Sequence, residues 1–151
     1  MNRPPEGWPR ISSSLFYQDP ARAIDWLCRA FGFEVRLKVE GEGGRIEHSE
    51  LTFGEGLVMV GSTGGKGEGG RDKSWCASPR ARGGANTQSL FVYVDDVEKH
   101  CQRARAAGAT IATEPMSADY GGDYWEDRLY EAVDPEGHYW WFGQWLKTGG
   151  K

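Results

Sequence analysis

The sequence predicts an α+β fold made of two βαβββ units, and three observations carry that prediction. Residues 15–35 repeat as a diverged copy at 91–111, the same order of strand and helix periodicities follows each copy, and a Gly-rich stretch separates the two. A chain of 151 residues suits one domain with a sizeable core. The expected division is a single domain over 1–151, with unit one at 11–61, a mobile linker at 62–87 and unit two at 88–145.

Unit one opens with residues 11–17, short and rich in Ser, aromatic and β-branched residues, as a strand should be. Asp19 can then cap a helix, and Pro20 stands at the first helical position, where a missing N–H costs nothing. Ile24, Leu27, Cys28 and Phe31 recur at helical spacing and form one apolar stripe, and Gly32 falls where a left-handed residue would end the helix. Three strand-like segments follow, at 33–40, 45–53 and 57–61. The connection 61–87 has too little apolar area to order itself and reads as a mobile link or lid. It is not a phosphate loop, because the glycines before Lys66 are wrongly spaced and Gly67 follows it.

Unit two repeats the order. Residues 89–94 form the strand, Asp96 caps, and Val97, Cys101 and Ala104 make a weaker stripe ended by Gly108. Strands are expected at 110–113, 127–133 and 138–144. Without a gap, Tyr17 meets Tyr93, Asp19 meets Asp95 and Gly32 meets Gly108; a register one residue later, Asp19 opposite Asp96, fits the helix start better.

Composition narrows the function. A net charge of -4 argues against a dedicated nucleic-acid binder, which needs a surplus of Lys and Arg on one face; the one basic cluster, 71–82, lies in the Gly-rich stretch. No apolar run approaches the roughly 20 residues that cross a bilayer, and the first ten residues lack the apolar core of a secretion signal, so a cytoplasmic protein without membrane partners is expected. Cys28, Cys76 and Cys101 form neither a CxxC pair nor an even disulfide set and read as reduced thiols. With Trp 7, Tyr 6 and Phe 6, large rings must do much of the packing and can also wall a pocket.

Two βαβββ units, the strand-to-helix start Val92-Tyr93-Val94-Asp95-Asp96-Val97 and the turn and strand Asp134-Pro135-Glu136-Gly137-His138-Tyr139-Trp140-Trp141-Phe142 together resemble the vicinal oxygen chelate superfamily. That superfamily includes glyoxalase I, bleomycin-resistance proteins and extradiol dioxygenases, and the resemblance spans 11–145. It implies eight strands in curved mixed sheets around a cleft, helices on the outside, and a homodimer. It also implies a divalent metal held by side chains from the first and last strand of each unit. Those positions fall on Ser12, on Met59 or Val60, on Ser89 (Gln88 in the ungapped register) and on Trp141, which is no credible ligand set, so no metal and no cofactor are expected.

Strand alternation sorts the remaining side chains by face. Ser12, Ser14 and Phe16 are expected toward the cleft with Leu15 and Tyr17 in the core; His48, Glu50 and Thr52 toward the cleft with Leu51 and Phe53 in the core; Tyr139 and Trp141 toward the cleft with Trp140 and Phe142 in the core. His48 and Glu50, two apart on one strand, can share a proton or a cation and are the candidates for chemistry. A hydrogen-bonded couple at the cleft edge explains them equally well. Glu131, Asp127 or Asp123 could complete a metal site with them. Residues 120–128 mix rings and charges, and in glyoxalase-like relatives such a segment borders the pocket, which makes Tyr120, Trp125 and Arg128 candidate contacts. Arg128 could clamp an anion or pair with Glu126 or Asp127 on a loop. His100 reads as a surface or interface residue and His138 as structural. Ser12 and Ser14 have no nucleophile elbow or base beside them.

The expected function is binding of a small, aromatic organic molecule in an aromatic-lined cleft without a metal. Two rivals stand beside it: a metal-dependent lyase, isomerase or dioxygenase with a displaced site around His48 and Glu50, and a dimeric interaction module whose cleft is closed.

Overall fold

The computed structural model describes residues 2–121 and 126–147. Two compact units follow one another along the chain, Met1–Arg82 and Gly83–Lys151. The first contains β1 (Ser13–Tyr17), α1 (Pro20–Phe31), β2 (Glu34–Glu40), β3 (Ile46–Phe53) and β4 (Gly56–Ser62). The second contains β5 (Leu90–Tyr93), α2 (Val97–Ala106), β6 (Thr110–Asp119), β7 (Glu126–Val133) and β8 (Tyr139–Lys147). Each unit folds into one four-stranded mixed sheet, in the orders β1-β4-β3-β2 and β5-β8-β7-β6. The last three strands of each unit form an antiparallel meander, and the first strand pairs with the last in parallel. A parallel pair needs a long crossover, which the helix and meander supply.

The helices begin and end where the sequence places them. The Asp19 side chain accepts a hydrogen bond from the Arg22 N–H at 3.1 Å, and Asp96 does the same for Lys99 at 3.0 Å. The two caps fix the repeat register with Asp19 opposite Asp96. Gly32 ends α1 at φ 83°, its N–H donating to the Cys28 carbonyl. After α2 the chain passes Ala107 and turns at Gly108, φ 93°, with Gly108 N–H bonded to Arg105 O and Ala109 N–H to Ala104 O.

Each helix covers one face of its own sheet. Ile24, Leu27, Ala30 and Phe31 of α1 are buried with Leu15, Tyr17, Leu51, Val58 and Val60; Val97, Cys101 and Ala104 of α2 are buried with Tyr130, Ala132, Trp140 and Phe142. Burying each of the larger side chains contributes roughly 1.5–3 kcal/mol. The β7–β8 turn is knit by Asp134, whose carboxylate accepts from the N–H groups of Glu136 and His138, both at 3.0 Å, and from Trp140 Nε1 at 3.2 Å. The Asp-Pro-x-Gly motif thereby seats Trp140 in the core.

Three local features depart from the sequence expectation. The sixth strand runs to Asp119 instead of stopping near residue 113. Pro115 is tolerated because β6 is an edge strand that pairs only with β7, and its ladder is irregular between Thr113 and Met116. In the connection, short turns form at Glu68–Gly70 and Pro79–Arg82, and Cys76, Ser78 and Pro79 are buried. Cys28 is only half-buried, whereas Cys101 is buried as its helix stripe requires.

Candidate functional site

With a helix on one face, each sheet leaves its other face without a helix over it, and pairing across strands shows which side chains share it. In the first unit Ser14 pairs with Met59, Met59 with Glu50 and Glu50 with Leu37, a single row across all four strands. Phe16 lies one step along β1, His48 and Thr52 on either side of Glu50, and Leu15 and Tyr17 are buried on the helix side. Ser12 precedes β1 and is half-buried.

The centre of this face is polar. His48 Nε2 lies 2.9 Å from Glu50 Oε1, and Glu50 is only 6% exposed. Its other oxygen is 3.5 Å from Arg36 Nε. The rest of the guanidinium is committed to the N-terminal segment, donating to the carbonyls of Gly7 at 2.8 Å and Glu6 at 3.3 Å and lying 5.7 Å from the centre of the Trp8 ring. Strict alternation along β2 would turn Arg36 away from the neighbours of Leu37. A bulge between Val35 and Leu37 leaves Arg36 unpaired in the ladder and lets it reach Glu50. No sequence signal marks that bulge. Beside Phe16, the connection contributes Trp75, edge-on with ring centres 5.5 Å apart, and Lys73, whose ammonium sits 5.7 Å from the ring centre.

The second unit presents rings. Phe91 pairs with Trp141, Trp141 with Glu131 and Glu131 with Thr113; the next row runs Tyr93, Gly143, Leu129, Met116. Phe91 is 47% exposed, Tyr93 53% and Trp145 58%, and Tyr139 also reaches solvent. Phe91 and Tyr93 pack edge to face at 5.0 Å. The Phe91 ring lies directly over Gly143, where any Cβ would collide with it. The Tyr93 hydroxyl donates to buried Asp127 at 3.2 Å, and burial followed by that carboxylate pushes the phenol pKa up. Glu131 accepts from the Thr113 hydroxyl at 3.2 Å. Glu50 and Glu131 occupy the same place in the two repeats, each pairing with the strand residue that bears a family metal position.

Phe91 and Tyr93 were missed in the sequence, although the register that opposes Asp19 and Asp96 sets them against Ser14 and Phe16 and could have found them. Tyr139 and Trp141 take the face away from α2, as alternation requires, while Trp140 and Phe142 are fully buried. Arg128 stands in β7 on the α2 side, its guanidinium 2.6 Å from Glu98 of the helix and 3.4 Å from the Ser117 hydroxyl. Tyr120 is exposed, and Trp125 and Asp123 lie outside the described residues. His100 is half-buried: its Nδ1 is 2.7 Å from the Tyr130 hydroxyl and its ring packs on Phe142 at 4.4 Å. Burial carries the Tyr130 phenol well above the usual tyrosine range.

The positions where the superfamily's enzymes hold a metal carry hydroxyls on Ser12 and Ser89, a thioether on Met59 and an indole on Trp141; Val60 is buried on the helix side. That donor set does not fit a divalent cation, which needs imidazole, carboxylate or thiolate groups. Among the described residues no group of three or more His, Cys, Asp and Glu could hold a metal ion.

Residues 10–142 match the family described as the Glyoxalase/Bleomycin resistance protein/Dioxygenase superfamily. The chain belongs to that superfamily. Among solved structures of this superfamily's fold, TioX from Micromonospora sp. ML1 is 36% identical with a TM-score of 0.67, the match covering 91% of this chain and 99% of TioX. TnmS3 from Streptomyces sp. CB03234 shares the fold at 17% identity and a TM-score of 0.61, over 89% of this chain and 93% of its own. An uncharacterised protein of Mycobacterium bovis is 32% identical over 136 residues, 90% of this chain and 83% of that protein. No helix among the described residues is long and apolar enough to cross a membrane.

Proposed function

We propose that this superfamily member binds a small aromatic organic molecule without a divalent metal, and that the open face of the second sheet supplies the stacking surface. The observation that carries the reading is the row of solvent-exposed rings, Phe91, Tyr93, Tyr139 and Trp145 with half-buried Trp141, on the one sheet face that α2 does not cover. Soluble proteins hide most of their large rings, so a cluster left on one face marks a recognition surface. TnmS3, which shares the fold, is an antibiotic binding protein, so this architecture accommodates an organic ligand. On the first sheet, taken by itself, Ser12, Ser14, Phe16, His48 and Glu50 are proposed as a separate set of ligand contacts.

The test is a thermal-shift screen of planar aromatic compounds, neutral and cationic, against the wild type and the variants Trp141→Ala and Phe91→Ala. A ligand at about 100 times its Kd stabilises the fold by about 2.7 kcal/mol, a clear rise in Tm. The rise should shrink in both variants. A screen with no stabilising compound, or shifts unaffected by both variants, would overturn the proposal. A homodimer belongs to the same proposal: β2 is an edge strand with every residue exposed, and light scattering on the purified chain reads its oligomeric state.

A further inference from the structure

Each sheet places a glutamate at the same point of the repeat, and the two differ in what balances them. Glu50 has a counter-charge within the first unit, Arg36 Nε lying 3.5 Å from one carboxylate oxygen. Glu131, taken within the second unit alone, has none. Its Oε2 accepts from the Thr113 hydroxyl at 3.2 Å, and among the described residues no Lys, Arg or His pairs with it. The rows of that open face, from the one at Tyr139 to the one at Trp145, contain no basic residue; their charged members are Glu131 and buried Asp127. Arg128 and Arg105 are paired elsewhere in the unit, with Glu98 at 2.6 Å and Glu114 at 2.7 Å. Glu131 stands directly opposite Trp141, and Trp141 opposite Phe91. Side chains so paired are roughly 5 Å apart at Cβ, within reach of one small ligand. Ring faces carry the negative part of the aromatic quadrupole, so rings and carboxylates build a potential of one sign.

We infer that Glu131 is the counter-charge for a cationic nitrogen carried by the ligand, so that the open face of the second sheet selects flat aromatic cations over neutral molecules of the same shape. The inference rests on the binding reading above and adds the ligand's charge. A half-buried carboxylate loses part of its hydration, and a cation bound among rings that exclude water restores the balance. A cation over an indole and beside one carboxylate gains about tenfold in affinity over a neutral isostere. Aromatic anions, repelled by both, bind weakest.

Three probes of similar shape test it by equilibrium dialysis: 1-methylquinolinium, whose charge is permanent, the isosteric neutral 1-methylnaphthalene, and 1-naphthoate. Wild-type protein should bind the quinolinium about tenfold more tightly than the neutral compound, and the naphthoate most weakly. Raising the ionic strength from about 0.05 M to about 0.5 M should weaken binding of the quinolinium and not of the neutral compound, because salt screens a charge pair open to solvent. Glu131→Gln keeps the shape of the side chain and an oxygen for the Thr113 hydroxyl. It should lower the preference by about threefold or more and leave affinity for 1-methylnaphthalene unchanged, a pattern that a loss of folding does not produce. Glu55→Gln removes the same charge from the exposed turn between β3 and β4 and should alter neither. Equal binding of the quinolinium and the neutral compound by wild type, tighter binding of the naphthoate, or a preference unchanged by Glu131→Gln overturns the charge role and leaves the aromatic-binding reading standing. Absence of binding by all three probes, together with an empty thermal-shift screen, overturns both.

Discussion

Single side chains here act through what they hold. Arg36 offers one guanidinium to a buried carboxylate, two backbone carbonyls and an indole, so it ties the N-terminal segment and the polar centre of the first sheet into one network. Arg36→Ala should lower stability by about 1–3 kcal/mol, because Glu50 would stay buried with only His48 beside it. Urea denaturation with an unchanged m-value checks this, and a loss within error would show that solvent replaces the guanidinium freely. The cysteines separate by burial. Desolvation holds the thiols of Cys76 and Cys101 above the usual cysteine pKa, against the smaller opposing pull of Lys73 and Arg105 respectively. The thiolate is the reactive form, so at mildly alkaline pH a soluble disulfide reagent should label half-buried Cys28 first and the other two slowly. Equal labelling rates would contradict the burial that the structure gives them.

The elements decide which side chains a ligand can meet. β5 and β8 lie in parallel so closely that Phe91 spreads over Gly143, and only a residue without Cβ permits that approach. Gly143 thus sets the pose of an exposed ring instead of a turn; its φ is not left-handed. Gly143→Ala should push the Phe91 ring aside at small cost in stability, since the ring's far end is free to swing, yet weaken the binding of the aromatic compounds that stabilise the wild type. Calorimetric unfolding and a fluorescence titration on the same variant separate the two effects; intact binding would remove Phe91 from the proposed surface. The strands also explain what sequence periodicity missed. A bulge in β2 redirected Arg36, and a bulged edge allowed β6 to run on past Pro115. Where the ladder is regular, as along β1 and β8, alternation sorted core from open face correctly for Leu15, Tyr17, Trp140, Phe142 and Trp141.

At the scale of the molecule, metal chemistry and organic binding make opposite demands on the same fold. Adding nickel, zinc or iron(II) should leave Tm unchanged, since hydroxyl, thioether and indole groups cannot offset the dehydration of a cation. A stabilisation by metal that His48→Ala abolishes would favour the lyase, isomerase or dioxygenase reading over ligand binding. The sequence by itself determined the two βαβββ units and both helix caps, because these follow from local propensity, periodicity and residue type, while its resemblance to the superfamily marked the would-be metal positions, whose chemistry is then read from residue type. Only the tertiary structure decided that Arg36 locks Glu50, that Arg128 turns to Glu98 on α2, and that His100 packs against Tyr130 and Phe142. These depend on bulges and on which helix faces which strand, and such long-range geometry is set by packing between segments far apart in the chain rather than by any residue's own preference.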